Sequence, residues 1–166
     1  MRISFRSPIA VMASLALLTG CASFSADGGM SDVAALTKER SGQIPQRVST
    51  DQDRIQHDKT VRDLLSRPLT PDSAVQIALI NNPGLQAKLS ALGVAESDLV
   101  QAGRMRNPQF SFGRSSGGGD VEIDRGVTFD LIGLLTIPMR SKIERGRFEQ
   151  AKLQAAIDAV SLAAET

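Results

Sequence analysis

The sequence predicts a mainly α-helical chain interrupted by one β-hairpin, and three observations carry that class. Leucines and small residues recur at steps of three and four over 83–105 and 139–166. Between these stretches, over 109–133, the apolar period drops from about 3.6 to about 2. Composition agrees: 42% of the 166 residues are hydrophobic but only 4% aromatic, with six Phe and no Trp or Tyr. Such a balance suits long Ala- and Leu-rich helices better than a compact mixed core.

Charge and residue counts exclude several functions. Nineteen Lys and Arg against 18 Asp and Glu leave a net charge of +1, with no long-range field to attract nucleic acid. A single Cys excludes an internal disulfide and Cys-rich metal sites, and a single His excludes paired-His motifs. No acid–base pair, nucleophile elbow or metal cluster can be assembled from the motifs present, so neither an enzyme nor a cofactor or metal is expected.

The amino end has the layout of an export signal over residues 1–20. Arg2 and Arg6 form a positive start, and Ile9 to Leu18 is apolar except for Ser14. That run falls short of the roughly 20 residues a membrane-spanning helix needs. Leu18-Thr19-Gly20-Cys21 resembles the bacterial lipobox, in which the Cys thiolate accepts a diacylglyceryl group and the chain is cut just before it. The expected lipid attachment is therefore Cys21, the only covalent group anticipated. Ala22 at the following position, where Asp would retain a lipoprotein at the inner membrane, points to the outer membrane.

Residues 21–69 read as a lipid-anchored polar arm. Ser25 to Ser31 is rich in Gly, Ser, Ala and Asp and is expected to be a flexible tether. Asp51 to Ser66 is a candidate short charged helix with few apolar residues. With so little area to bury, the arm is expected to lie extended against a larger body. His57, between Gln56 and Asp58, has no second imidazole and no nucleophile nearby, and is expected to be a solvated surface residue. The charged run Asp51, Asp53, Arg54, Asp58, Lys59 is expected to be a solvated face.

From residue 70 the pattern sharpens. Thr70 is a good N-cap, Pro71 suits the first helical position and Asp72 favours the first turn, giving a helix over 71–81. Asn82-Pro83 ends it and starts the next, over 83–105, where Leu85, Leu92 and Leu99 stand seven apart beside Ala91, Ala95 and Ala102. A third helix is expected over 139–166. In it Ile143, Gly146, Gln150, Leu153, Ile157, Val160 and Ala164 follow coiled-coil steps, and Ala151, Ala155, Ala159 and Ala163 permit close approach. No cap or breaker precedes Thr166, so the sequence reads as stopping within the element.

The hairpin is expected over about 109–133. Gln109 to Gly113 alternates polar or small residues with Phe110 and Phe112, and Arg114 to Asp120, with Ser115 to Gly119 inside it, is expected to be a mobile turn. The second strand is expected to put Val121, Ile123, Val127, Phe129 and Leu131 on one face and Glu122, Asp124, Thr128 and Asp130 on the other. Transmembrane barrel strands alternate in this way, and so do hairpins packed on a soluble core. Arg125 has the parity of the apolar face and must snorkel or mark a bulge.

Two segments then stand out together: L-T-P-D-S-A-V-Q-I-A-L-I-N-N-P-G-L at 69–85 and Q-A-G-R-M-R-N-P-Q-F-S-F-G at 101–113. Their order, behind a lipobox and before a hairpin and a long Ala-rich helix, resembles the TolC-like outer-membrane efflux factors, in particular their lipoprotein branch. The resemblance covers about 69–166. It implies a homotrimeric channel in which long helices line a periplasmic tunnel and hairpins build a transmembrane β-barrel. Residues 70–166 would be the first of two β-β-α halves, the chain being truncated or completed by another. The implied function is a passive conduit for export across the outer membrane, with a periplasmic adaptor, an inner-membrane pump and outer-membrane lipid as partners. Glu122, Asp124 and Asp130 would then face the lumen and favour cations. The competing class is a periplasmic scaffolding or binding lipoprotein, a helical hairpin that docks to a partner without forming a pore.

Overall fold

The computed structural model describes residues 23–117 and 120–166. Its elements, in chain order, are α1 (Met30–Ser41), α2 (Asp51–Leu65), α3 (Pro71–Asn81), α4 (Pro83–Ala102), β1 (Gln109–Gly117), β2 (Asp120–Thr128) and α5 (Leu131–Glu165). The chain is mainly helical with one antiparallel two-stranded sheet, the predicted class. The export signal over 1–20 and Cys21 lie outside the described residues.

The arm is more ordered than its composition suggests. The Asp27 carboxylate accepts from the backbone N–H of Gly29 (3.1 Å) and Ser31 (2.7 Å), and Gly28 and Gly29 adopt φ of 63° and 78° to turn the chain into α1. Gly42, at φ 71°, closes the helix by donating to the Lys38 carbonyl. Val33 and Thr37, one turn apart, are fully buried, with Met30 and Leu36 packed beside the core. The tether expected over 25–31 is therefore a helix entry fastened to the body, because α1 carries an apolar face just wide enough to dock on α5. Residues 43–49 carry no helix or strand. The Gln86 side chain holds them, accepting from the Val48 N–H (2.9 Å) and donating to the Gln46 carbonyl (2.7 Å).

α2 and α3 form where predicted, each opened by a capping box: Thr50 with Asp53, and Thr70 with Ser73. Asn82 caps α4 through the Leu85 N–H. That helix ends at Ala102, three residues before the predicted boundary, where Gly103 donates back to the Leu99 carbonyl. The expectation for His57 is overturned. It is the buried residue of α2, which packs on α3, and its Nδ1 has no hydrogen-bond partner. The acidic and basic residues around it stay on the solvated side, apart from the partly covered Asp53.

The core gathers Val33 of α1, Leu79 of α3, Leu85, Leu89 and Leu92 of α4, and Ala155, Ala156 and Ala159 of α5. Each fully buried leucine contributes about 1.5–3 kcal/mol relative to an exposed one. The alanines let α5 approach closely, and Lys88 bridges to Asp158 at 2.9 Å across the seam between α4 and α5.

The largest departure from the sequence-based expectation lies at 129–139. The hairpin ends at Thr128, and α5 begins at Leu131 instead of 139. Asp130 caps it, accepting from the Gly133 N–H at 2.7 Å. Pro138 then lies inside the helix, where it removes a backbone donor. The neighbouring Gly133 carbonyl accepts from the Thr136 hydroxyl (3.0 Å) and the Arg140 guanidinium (2.9 Å), whereas the donor that Pro138 lacks is the one that would serve the Leu134 carbonyl. α5 has 35 residues and is about 52 Å long.

Candidate functional site

β1 and β2 pair in one unbroken register, from Gln109 opposite Thr128 to Gly117 opposite Asp120. No bulge interrupts it, so side-chain parity follows directly from residue number. One face carries Phe110, Phe112, Arg114 and Ser116 against Val127, Arg125, Ile123 and Val121. The other carries Gln109, Ser111, Gly113 and Ser115 against Thr128, Gly126, Asp124 and Glu122. Phe112 lies opposite Arg125, which therefore belongs to the apolar face without a bulge. Arg114, read in the sequence as part of the turn, joins it opposite Ile123.

Among the described residues, neither face of this hairpin packs against a helix. Phe110 is 77% exposed and Phe112 73%, with Val121, Ile123 and Val127 also exposed. The apolar surface continues into the first turns of α5, where Ile132 is 77% and Leu135 81% exposed beside Leu131, Leu134 and Met139. Soluble monomers rarely leave so much contiguous apolar surface bare, and an isolated two-stranded hairpin is marginally stable in water. A hairpin packed on the chain's own core is excluded by this arrangement.

Of the acids singled out in the sequence, Glu122 and Asp124 share the polar face of β2. Asp130 does not. It is the N-cap of α5, and its carboxylate lies 3.5 Å from Arg106, so it ties the hairpin base to the connector after α4. The parity argument misplaced it by continuing the strand past its end at Thr128. The helical run Leu131-Ile132, Leu134-Leu135 after an Asp-x-x-Gly cap was the signal that would have found the boundary.

A second exposed surface runs along α5. Phe148, Lys152, Ala155, Ala156 and Ala159 are the face turned inward. The predicted heptad positions Ile143, Gly146, Gln150, Leu153, Ile157 and Ala164 are exposed, with Val160 half-buried. In α4 the corresponding seam is satisfied within the chain, since Leu85, Leu89, Leu92, Glu96 and Val100 are all buried. α5 thus has two stripes, one packed and one bare.

Three ionisable groups were not read as buried in the sequence. Glu96 sits in the α4 seam and accepts from both the N–H and hydroxyl of Ser25, each at 2.5 Å, fastening the start of the arm to the helix. Lys152 runs under α1, with Nζ 2.5 Å from Asp32, 2.7 Å from Glu149 and 5.2 Å from the Phe148 ring centroid. Burial opposes its charge, but hydrogen bonds to the two carboxylates outweigh that and raise its pKa above the usual lysine value. The third is His57. Among the described residues no cluster of His, Cys, Asp and Glu could hold a metal, and no helix is long and apolar enough to cross a membrane. Comparison with protein-family models, curated proteins and solved structures finds no match to the chain.

Proposed function

We propose that the chain is the outer-membrane channel component of a tripartite efflux system, of the TolC-like lipoprotein type, and acts as a passive conduit opened by a periplasmic adaptor and an inner-membrane pump. The observation that carries this reading is the hairpin, which has one apolar and one polar face and, among the described residues, packs on no other element. Strands of nine residues match the nine to eleven of a transmembrane barrel. Two strands cannot close a barrel, so the unpaired edges call for hairpins from neighbouring protomers and from the second β-β-α half that the resemblance implies.

The bare stripe on α5 supports the same assembly, offering each helix a second seam to a neighbouring protomer in a periplasmic tunnel. Arg114 and Arg125 each stand three residues from a strand end, Arg114 toward the tip and Arg125 toward the base. In a strand tilted by about 45° that is about 7 Å below the nearer interface, within reach of a snorkelling guanidinium. The arm fits too. Ser25 is fastened to Glu96, about 9 Å along α4 from its end beside the hairpin base. The four residues from Cys21 to Ser25 reach at most about 14 Å, enough to set a lipid on Cys21 in the periplasmic leaflet. A pore-free scaffold gives the apolar hairpin face no role.

Spin labels at 110, 112, 121 and 127, and at 109, 111, 122 and 124, test the reading in lipid vesicles. The first set should report collisions with dissolved oxygen and the second with a water-soluble paramagnet. Water exposure at all eight positions in the presence of lipid would sink the proposal.

A further inference from the structure

A cleft of about 880 Å³ lies where the end of α4 and its connector meet α5, at the base of the hairpin. Its charged lining is Asp98, Arg104, Arg106, Arg140, Glu144 and Arg147, four guanidiniums against two carboxylates. Arg147 is occupied by Glu144 at 2.8 Å, and Arg106 by Asp130 at 3.5 Å. Arg104 and Arg140 have no carboxylate partner among the described residues. Arg140 spends one amino group on the Gly133 carbonyl, while its buried Nε donates to nothing. A guanidinium that lines the cleft, is held from one side by a carbonyl and has no carboxylate partner can offer its remaining amino group to an oxyanion.

The position of the cleft selects the oxyanion. Met139, the last of the exposed apolar residues that continue the hairpin surface into α5, immediately precedes Arg140, so the cleft opens where that surface meets a cluster of charged side chains. At such a border in a bilayer stand the phosphates of the headgroups. We infer that this cleft binds the phosphate of an anionic phospholipid, with Arg104 and Arg140 as its direct donors. The inference rests on the membrane reading of the hairpin, and it gives the barrel a specific lipid that fixes its depth on the periplasmic side.

The test measures binding of the full-length protein to vesicles of phosphatidylcholine alone and of phosphatidylcholine with phosphatidylglycerol, with inorganic phosphate as competitor. The wild type should bind both and favour the anionic vesicles. Arg104→Gln/Arg140→Gln should lose that preference by roughly 30-fold, about fivefold per arginine, while still binding neutral vesicles. Arg104→Gln alone, at an exposed side chain with no structural partner, should lose about fivefold without touching the helix. Lys142→Gln/Arg145→Gln removes the same charge from α5 outside the cleft and should leave most of the preference. Equal losses in the two double variants would overturn the site in favour of diffuse attraction. Neutral binding without any anionic preference would overturn it while leaving the hairpin reading intact. No binding to either vesicle would overturn both, and phosphate binding without lipid binding would reassign the cleft to a free anion.

Discussion

At the level of single residues, the junction between arm and body is held by contacts that tolerate little change. Gly29 has φ 78°, and a Cβ there would approach Lys152 Cδ to 2.8 Å and Phe148 Cζ to 2.9 Å. Gly29→Ala should cost about 2–4 kcal/mol, combining left-handed strain with overpacking, as a lower denaturant midpoint in chemical unfolding. Lys152, one of the groups it would strike, also gives the fold a pH signature. Its folded pKa is raised, so its ionic contribution is complete below the unfolded value near about 10.4 and is lost as pH climbs through the folded one. Asp27 and Asp53 behave oppositely. Hydrogen bonds with Ser31 hold Asp27 low, and those with Ser49 and Thr50 hold Asp53 low, so their contributions are present above about 3.9 and disappear as pH falls. Melting temperature plotted against pH should therefore fall at both ends. Lys152→Met, which keeps the buried stem, should flatten the alkaline limb and leave the acid limb unchanged.

At the level of elements, local chemistry was legible in the sequence wherever one signal acted alone. Thr70-Pro71 and Asn82-Pro83 each leave one backbone solution, and α3 and α4 start on those residues. Reading failed where two signals competed. Ile137-Pro138 marks a helix boundary by its own sterics, but the helix that the Asp130 cap opens runs through it. The polar composition of 21–69 masked α1, because a helix docked along one stripe needs only Val33, Thr37, Met30 and Leu36 facing inward. His57 reads as soluble by its neighbours and is buried by its place on the helix face. Of the candidate site, strand parity located Glu122 and Asp124, whereas the arginine cleft depends on residues some 36 apart in sequence that only the pairing of α4 with α5 brings together. The correction at Asp130 has a measurable consequence. Asp130→Ala should cost about 1 kcal/mol and speed amide exchange in the first turn of α5. In full channels it should alter cation preference far less than Glu122→Gln/Asp124→Asn. Equal effects on conductance selectivity would return Asp130 to the lumen.

At the scale of the whole molecule, the arrangement of apolar surface bears on the proposed assembly. The core occupies the end of the helical body distal to the hairpin, where the far half of α5 meets α1, α3 and α4. The hairpin, the first turns of α5 and the Ile143–Leu153–Ile157 stripe are left outside it. A monomer gains nothing from that stripe, since its coiled-coil spacing matters only against another helix. On the proposed reading, neighbouring protomers cover it, and Leu153 and Ile157 lie near the middle of that interface. Leu153→Glu/Ile157→Glu should leave the single-chain helical content and unfolding midpoint close to wild type, because both side chains are exposed within the chain. It should nevertheless shift the detergent-solubilised protein from trimer to monomer in light scattering. Leu89→Ala is the converse control: it should lower intrinsic stability by about 2–5 kcal/mol through a cavity in the chain's own core, with the interface stripe untouched. A double variant that remains trimeric would mean that the bare stripe faces the tunnel water and that assembly is held elsewhere.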